Sequence, residues 1–323
     1  MRRRISVIVP TYDRPKTLRE ALESIQAVAA ANYDLEFEIV VGDNGLKDET
    51  REICGQFNAV YAPAYGKGAS YGRNAALKAA SGDFIAFLDD DDVWLQGHMR
   101  PHLAYLDAHP HHDAVFGQAI YADHNLEPTS DPWPQEHPGE GDELLRRMLS
   151  GLFPQIGTFL ARRVVIDQIG FFDTHLVGGQ DLDWMLRLAG KRRLGFVATP
   201  CVLFRGRPPL SSDKLQRMRI GFDRHVFLRH SLPNAHRLWK SPLGFARAYH
   251  ATLGHFYSYF ISKADWLVEN GQSAEAVRAL VTPMLNLPLL AAVDLVRPSK
   301  LRTVIGKLLR GGARPAPSAT KAS

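Results

Sequence analysis

The chain has 323 residues, 45% of them apolar, and a formal net charge of +5, enough to bury one large core or a main domain with a helical appendage. Seven Lys and Arg and no Asp or Glu fall in residues 297–323; without that +7 the remainder carries −2, so the positive balance belongs to a tail and a nucleic-acid-binding body is not indicated. Two cysteines, Cys54 and Cys201, are too few for a disulfide scaffold and lack metal-ligand spacing, which fits a reducing, cytoplasmic setting.

At the N-terminus, Met1-Arg2-Arg3-Arg4 precedes a short strand-like run and then Pro10, so no signal-peptide core is expected. From there, short β-branched runs alternate with helical periodicity, which predicts an α/β chain with a doubly wound, mostly parallel sheet. Strands are expected at residues 5–9, 37–41, 59–61 and 84–88. The helix after the first strand shows Leu18, Ala21, Leu22, Ile25, Val28 and Ala29 on one face, with Pro15 suited to its first turn. Further helices are expected at 48–57 and 70–80.

Beyond residue 92 the pattern predicts a helix at 97–109, a strand at 114–120 and a Pro-rich loop over 123–142, long enough to be functional or mobile. An element over 159–169, a helix starting at Gln180, strands around 196–204 and nearly continuous helix signals from Lys214 follow. The organisation expected is a catalytic domain over 1–210, a helical module over 211–310 and a disordered tail over 311–323. The apolar stretch 279–296 is interrupted by Pro283, Asn286, Pro288 and Asp294, which argues against a spanning helix.

The chemistry gathers at strand ends. Asp89-Asp90-Asp91-Asp92 follows the buried-looking fourth strand, and adjacent carboxylates repel unless a cation compensates them. Carboxyl ends of strands are where open α/β sheets bind ligands. The first strand ends in Pro10-Thr11-Tyr12-Asp13-Arg14-Pro15 and the second in Gly42-Asp43-Asn44-Gly45, so three polar turns should meet on one edge. No Gly-x-Gly-x-x-Gly occupies the first turn, the Gly66, Gly68, Gly72 cluster has other spacing, and no Walker-type loop occurs, which argues against a dinucleotide or P-loop site.

With Gly72-Arg73-Asn74-Ala75-Ala76 and Gln180-Asp181-Leu182-Asp183-Trp184 added, these elements resemble, over residues 5–205, a family-2 glycosyltransferase with the glycosyltransferase-A fold. The resemblance implies that Pro10, Thr11 and Tyr12 line the nucleotide pocket, that Asp43 accepts hydrogen bonds from the base, and that Arg73 approaches base or phosphate. It makes Asp90 the ribose or sugar contact and Asp91, in the family's Asp-x-Asp element, the ligand of a divalent Mn²⁺ or Mg²⁺. Asp181 matches the base that takes the acceptor proton. Asp89 would end the strand and Asp92 lie behind the site. Asp183 and Trp184 read as structural.

Arg205, directly after the last strand and followed by Gly206 and Arg207, is a candidate diphosphate contact or a plain surface turn. Leu46 and Gln180 depart from the family's usual Ser and acidic residue, and the absence of Gln-x-x-Arg-Trp disfavours a processive synthase. The expected activity is inverting, metal-dependent transfer of one sugar from a UDP- or dTDP-linked donor to a glycan or lipid-linked acceptor in envelope or exopolysaccharide assembly. A sugar-1-phosphate nucleotidyltransferase or a silent nucleotide-sugar-binding protein are the alternatives. The histidines at 109, 111 and 112, and at 225, 230, 250 and 255, read as loop or packed residues rather than ligands. Leu301, Val304, Ile305, Leu308 and Leu309 make residues 299–310 a basic amphipathic helix, with peripheral membrane contact and packing on its own domain as equal expectations.

Overall fold

The computed structural model describes residues 2–176, 178–191, 193–206 and 213–310, with backbone alone at 213–216. The tail expected at 311–323 and Arg207 lie outside the described residues. In chain order the elements are β1 (Arg4–Thr11), α1 (Pro15–Ala31), β2 (Glu36–Asp43), α2 (Asp48–Gln56), β3 (Val60–Pro63), α3 (Ala69–Ala79) and β4 (Phe84–Phe87). Then come β5 (Val93–Trp94), α4 (Met99–Ala108), β6 (Ala114–Ala122), α5 (Gly141–Met148), β7 (Phe159–Arg162), α6 (Val165–Ile169), α7 (Gln180–Gly190) and β8 (Leu194–Arg205). The C-terminal helices are α8 (Asp213–Ser231), α9 (Ala235–Trp239), α10 (Pro242–Glu269), α11 (Ser273–Asn286), α12 (Pro288–Val296) and α13 (Lys300–Leu309).

The strands form one sheet in the order β3-β2-β1-β4-β7-β6-β8-β5. β3, β2, β1 and β4 are parallel, β7 runs against both β4 and β6, and β6 pairs in parallel with β8. β1 is buried on both faces, as a central parallel strand must be. Its Ile5, Val7 and Val9 pack with Leu18, Leu22 and Ile25 of α1 and Leu103 and Leu106 of α4, whereas Ile8 faces Leu77 of α3 and Trp184 of α7. Helices thus cover both faces, as the doubly wound reading requires.

Two elements escaped the sequence pattern. β5 is two residues long and α5 follows a loop with no apolar run, so neither carries a readable period. The Pro-rich loop is laid along the second half of β6. Trp133 and Ala119 exchange backbone hydrogen bonds of 3.0 and 2.9 Å, and Trp133 stacks on Tyr121.

The expected boundary at 210 falls among undescribed residues, and the core runs across it. Val226 and Phe227 of α8 and Leu238 and Trp239 of α9 share the buried cluster with Phe87, Leu144 and Trp184. The separate helical core begins later, around Leu253, Phe256 and Phe260 of α10, and ends at Leu301 and Val304 of α13. Of the two expectations for residues 299–310, packing on the protein itself is seen for one side of α13, while Leu309 at its end is 83% exposed. Leu301 and Val304 have no exposed surface, and Lys307 donates to Asp265 at 2.6 Å and Glu269 at 2.7 Å.

Candidate active site

Parallel strands β1 and β2 end in register, with Thr11 beside Asp43, and the Asn44 N–H donates to the Thr11 carbonyl at 3.0 Å. Gly42 and Gly72 allow α3 to approach β2 at backbone distance: a Cβ on Gly42 would stand 1.9 Å from the Gly72 carbonyl oxygen. That closeness presents Arg73 to the end of β4. Its Nη2 donates to Asp89 Oδ1 at 2.5 Å. The neighbouring Asn74 exchanges hydrogen bonds of 2.9 Å with the backbone of Phe172, tying down the segment that leads into α7.

The acidic run is braced by residues from three directions. Thr11 Oγ1 donates to Asp90 Oδ2 at 2.7 Å, and Arg14 Nη1 donates to both Asp90 Oδ1 at 2.9 Å and Asp91 Oδ2 at 3.0 Å. Asp92 accepts from Gln155 Nε2 at 2.7 Å and from the Arg205 N–H at 2.9 Å. Burial pushes the Asp90 carboxyl up to about 6, against the pull of Arg14 and Thr11. Oxygens of Asp89, Asp91 and Asp92 lie within 4.8 Å of one another, a hard-donor set suited to Mg²⁺ or Mn²⁺. Among the described residues no histidine joins such a group.

Asp181 sits in the first turn of α7, behind Gly179, which holds the left-handed conformation at φ 67° and ends the preceding loop. Its Oδ1 accepts the Leu182 N–H at 2.9 Å. Burial raises its pKa, the nearby Arg73 charge lowers it and Asp89 raises it again. Asp181 thus belongs to the same electrostatic cluster as the acidic run, though 92 positions separate it in the chain from Asp89. Buried atoms at the cluster also lack partners among the described residues: Arg73 Nε and Nη1, and Gln180 Oε1. Buried donors and acceptors of this kind call for a partner such as water, an ion or a ligand.

The remaining expected site residues divide. Pro10 and Thr11 are buried at the edge and Tyr12 is 67% exposed beside them. Asp43 has no exposed surface, and its carboxylate accepts from the Gly45 N–H at 2.7 Å, the Lys47 N–H at 3.2 Å and Tyr61 Oη at 3.1 Å. It shapes the second turn. Arg205, a candidate diphosphate contact or surface turn in the sequence, is seen here as a brace. Its Nε donates to the Asp91 carbonyl at 2.7 Å, Nη1 to the His124 carbonyl at 2.7 Å and Nη2 to Glu20, so each guanidinium nitrogen is committed to the protein.

Asp183 is fully buried and held by Arg187 at 3.1 Å and His230 at 2.8 Å, and Trp184 packs against Phe87 and Phe172; both are structural as expected. Sequence reasoning missed Arg14, although it stands in the first polar turn, because a guanidinium before a helix looks like any solvated cation. It also missed Asp223 of α8. That carboxyl lies where a Cβ on Gly179 would be 3.2 Å from its Oδ1, and no motif marks it.

An open depression of about 380 Å³ lies beside this site, lined by Arg14, Pro15, Lys16, Thr17 and Asp91. A larger one of about 660 Å³ lies at the other ends of the strands, among Arg2, Arg3, Asp34, Arg100 and Asp107. It is crossed by the Arg3–Asp107 and Arg100–Asp34 ion pairs and is remote from the carboxylate cluster.

The model of the family described as "Glycosyl transferase family 2" matches residues 6–170, just over half the chain and including β1, β2, α3 and the acidic run. The chain belongs to glycosyltransferase family 2. This glycosyltransferase is 34% identical over 106 residues to the Escherichia coli UDP-Glc:alpha-D-GlcNAc-diphosphoundecaprenol beta-1,3-glucosyltransferase WfgD, a stretch covering 32% of this chain and 40% of WfgD. It is 35% identical over 102 residues to a GalNAc(5)-diNAcBac-PP-undecaprenol beta-1,3-glucosyltransferase of Campylobacter jejuni, covering 29% and 31% of the two chains. The matches thus span less than half the length of both relatives. Among solved structures, S. aureus TarS is similar with a TM-score of 0.60 at 20% identity, covering 95% of this chain and 55% of that one. TarS residues 1–349 in complex with UDP-GlcNAc gives 0.54 at 21%, covering 97% and 93%. At such identity these structures show a shared fold, which extends through the C-terminal helices.

Proposed function

We propose that this glycosyltransferase moves a single sugar from a UDP- or dTDP-linked donor to an acceptor hydroxyl by one displacement with inversion. The observation that carries this reading is Asp181: a half-buried carboxylate in the first turn of α7, of raised pKa beside Arg73 and in one electrostatic cluster with Asp89. A carboxylate whose affinity for a proton is raised is a better general base near neutral pH. The acceptor oxygen forms its bond to the anomeric carbon and gives its proton to Asp181. The bond from that carbon to the phosphate oxygen breaks, and its electron pair leaves with the nucleoside diphosphate.

The divided acidic run fits this chemistry. Asp89, Asp91 and Asp92 would hold a divalent Mn²⁺ or Mg²⁺, which would take up charge on the departing diphosphate. Thr11 and Arg14 fix Asp90 in the orientation of a hydroxyl acceptor for ribose or sugar. Arg73 keeps the carboxylates on either side of it from repelling one another.

The acceptor proposed is a glycan or polyprenyl-linked saccharide of envelope or exopolysaccharide assembly, because the E. coli and C. jejuni relatives are described as acting on undecaprenol-linked saccharides. The cytoplasmic setting belongs to the same proposal and draws on two buried, unpaired thiols. A thermal-shift screen of nucleotide sugars with Mn²⁺ identifies the donor by the stabilisation that binding brings. Transfer with that donor, followed by the anomeric configuration of the product, then tests the chemistry. Retention rejects single displacement, and donor binding without transfer or hydrolysis identifies a silent binding protein.

A further inference from the structure

The helices after α10 turn an apolar face outward. On α12, Leu289, Ala292, Val293 and Val296 stand at i, i+3, i+4 and i+7, the spacing that ordinarily marks the face a helix buries. Here all four are exposed, with Val296 at 79% and Leu289 at 58%. The opposite side holds the buried Ala291, and the acidic residue of α12, Asp294, is turned inward to accept from Tyr257 Oη of α10 at 2.9 Å. α11 extends the apolar surface with Val277, Val281 and Leu285, likewise exposed at intervals of four.

Charge at the end of this face is predominantly basic, with Asp265 of α10 standing 3.8 Å from Lys300 Nζ. Arg297, Lys300 and Arg302 follow α12 directly and are exposed, and residues 297–310 contain no Asp or Glu. No single described helix is long and apolar enough to cross a membrane, and α11 and α12 meet at a bend of 114°. Together the bent pair has the length and apolar composition of a broken span, and its outward apolar face equally suits seating on a surface. An aliphatic stripe bordered by lysine and arginine complements one chemistry in particular: an apolar layer beneath anionic headgroups.

We propose that the outer face of α11 and α12 seats the protein on an anionic bilayer, with Leu285, Leu289, Val293 and Val296 in the headgroup–acyl boundary and Arg297, Lys300 and Arg302 against lipid phosphates. This shifts the apolar part of the membrane contact from α13, whose Leu301 and Val304 are buried in the helical core, to α11 and α12, and keeps Lys300 and Arg302 at the start of α13 for the headgroups. It deepens the proposed function and rests on the lipid-linked acceptor for its purpose: a water-borne donor and a polyprenyl-anchored acceptor meet only at the membrane surface.

Flotation of the purified full chain with phosphatidylcholine vesicles, with and without phosphatidylglycerol, tests it in the absence of donor. The wild type is expected to float with the anionic vesicles, and the Leu289→Ser, Val293→Ser, Val296→Ser triple variant to lose about tenfold or more of its partitioning. Replacing Arg297, Lys300 and Arg302 with Ser should cost a similar factor and remove the preference for phosphatidylglycerol. The single Val296→Ser variant, at the most exposed position, gives a smaller loss in the same direction and guards against misfolding of the triple variant. Equal flotation of wild type and both apolar variants overturns the proposal. So does a wild type that ignores vesicles but self-associates in sedimentation through this face. Transfer to a water-soluble acceptor should be unchanged in the triple variant, so a failure of docking and a failure of the transferase reading give different results.

Discussion

Arg73 Nη2 lies 2.5 Å from Asp89 Oδ1, and the guanidinium is almost wholly buried, with 3% of its side chain exposed. Its charge offsets Asp181 as well as Asp89 and Asp90. Arg73→Met therefore leaves several carboxylates without compensation. A loss of about 2–4 kcal/mol in unfolding free energy is expected, read from urea denaturation. Removing the charge that lowers the Asp181 pKa should also move the acid limb of kcat to higher pH. A variant with wild-type stability and pH profile would contradict the central place given to Arg73.

Asp181→Asn keeps the shape of the first turn of α7 and removes the proton acceptor. Turnover is expected to fall by about 10²–10⁴-fold while donor affinity, measured by calorimetry, stays near wild type. Because burial raises this pKa, the wild-type rate should fall as pH drops through a value above the ordinary carboxylate range of 3.8. Full activity in the asparagine variant would reject the assignment.

Asp91 bridges to Arg14 and joins Asp89 and Asp92 in the hard-donor group. In Asp91→Asn the Mn²⁺-dependent part of donor binding should vanish, whereas metal-free binding changes little. Unchanged calorimetric affinity with Mn²⁺ would remove Asp91 from the metal site, as would full activity of the wild type after exhaustive chelation.

Asp223 supplies a separate test by pH. Burial pushes its carboxyl up to about 6 from 3.8, with Arg219 opposing and Asp181 adding to the rise. Ionisation is thus harder in the folded chain than in the unfolded one. The stability this group contributes is whole below about pH 4 and is lost as pH rises through 6. Asp223→Asn should leave stability near pH 4 unchanged and raise it at pH 8 by at most about 3 kcal/mol. Thermal melts across that range check it, and parallel curves for both proteins would show that Asp223 is solvated.

Leu301 reports on α13. It has no exposed surface and packs in the core with Phe256 and Phe260, so Leu301→Ala should cost about 2–5 kcal/mol. A change within experimental error would mean that α13 does not pack on the helical core in solution.

The parallel half of the sheet was legible because its cues are local. Buried β-branched runs place β1, β2 and β4 within a residue or two of their observed bounds, and the 3.6-residue periodicity between the first two gives the buried face of α1. The acidic run, Arg73 and Asp181 were legible as a pattern, since their order along the chain matches a family. The bracing role of Arg205 was not legible for a physical reason. A guanidinium at a strand end looks free in sequence, whereas Glu20 of α1 and the carbonyls of Asp91 and His124 are brought to it by folding. The amphipathic α13 was ambiguous for a related reason, because periodicity shows that a face is apolar and not what covers it.

The sequence by itself determined the α/β class, the family and the order of acidic residues that matches it, all of which depend on near-neighbour spacing. Tertiary structure alone decided that Arg14 bridges Asp90 and Asp91, that Asp223 stands over Gly179, and that the broad uncovered apolar face lies on α11 and α12. These are relations across tens to hundreds of residues, set by which surfaces meet when the sheet and the helical core close, and no local period encodes them.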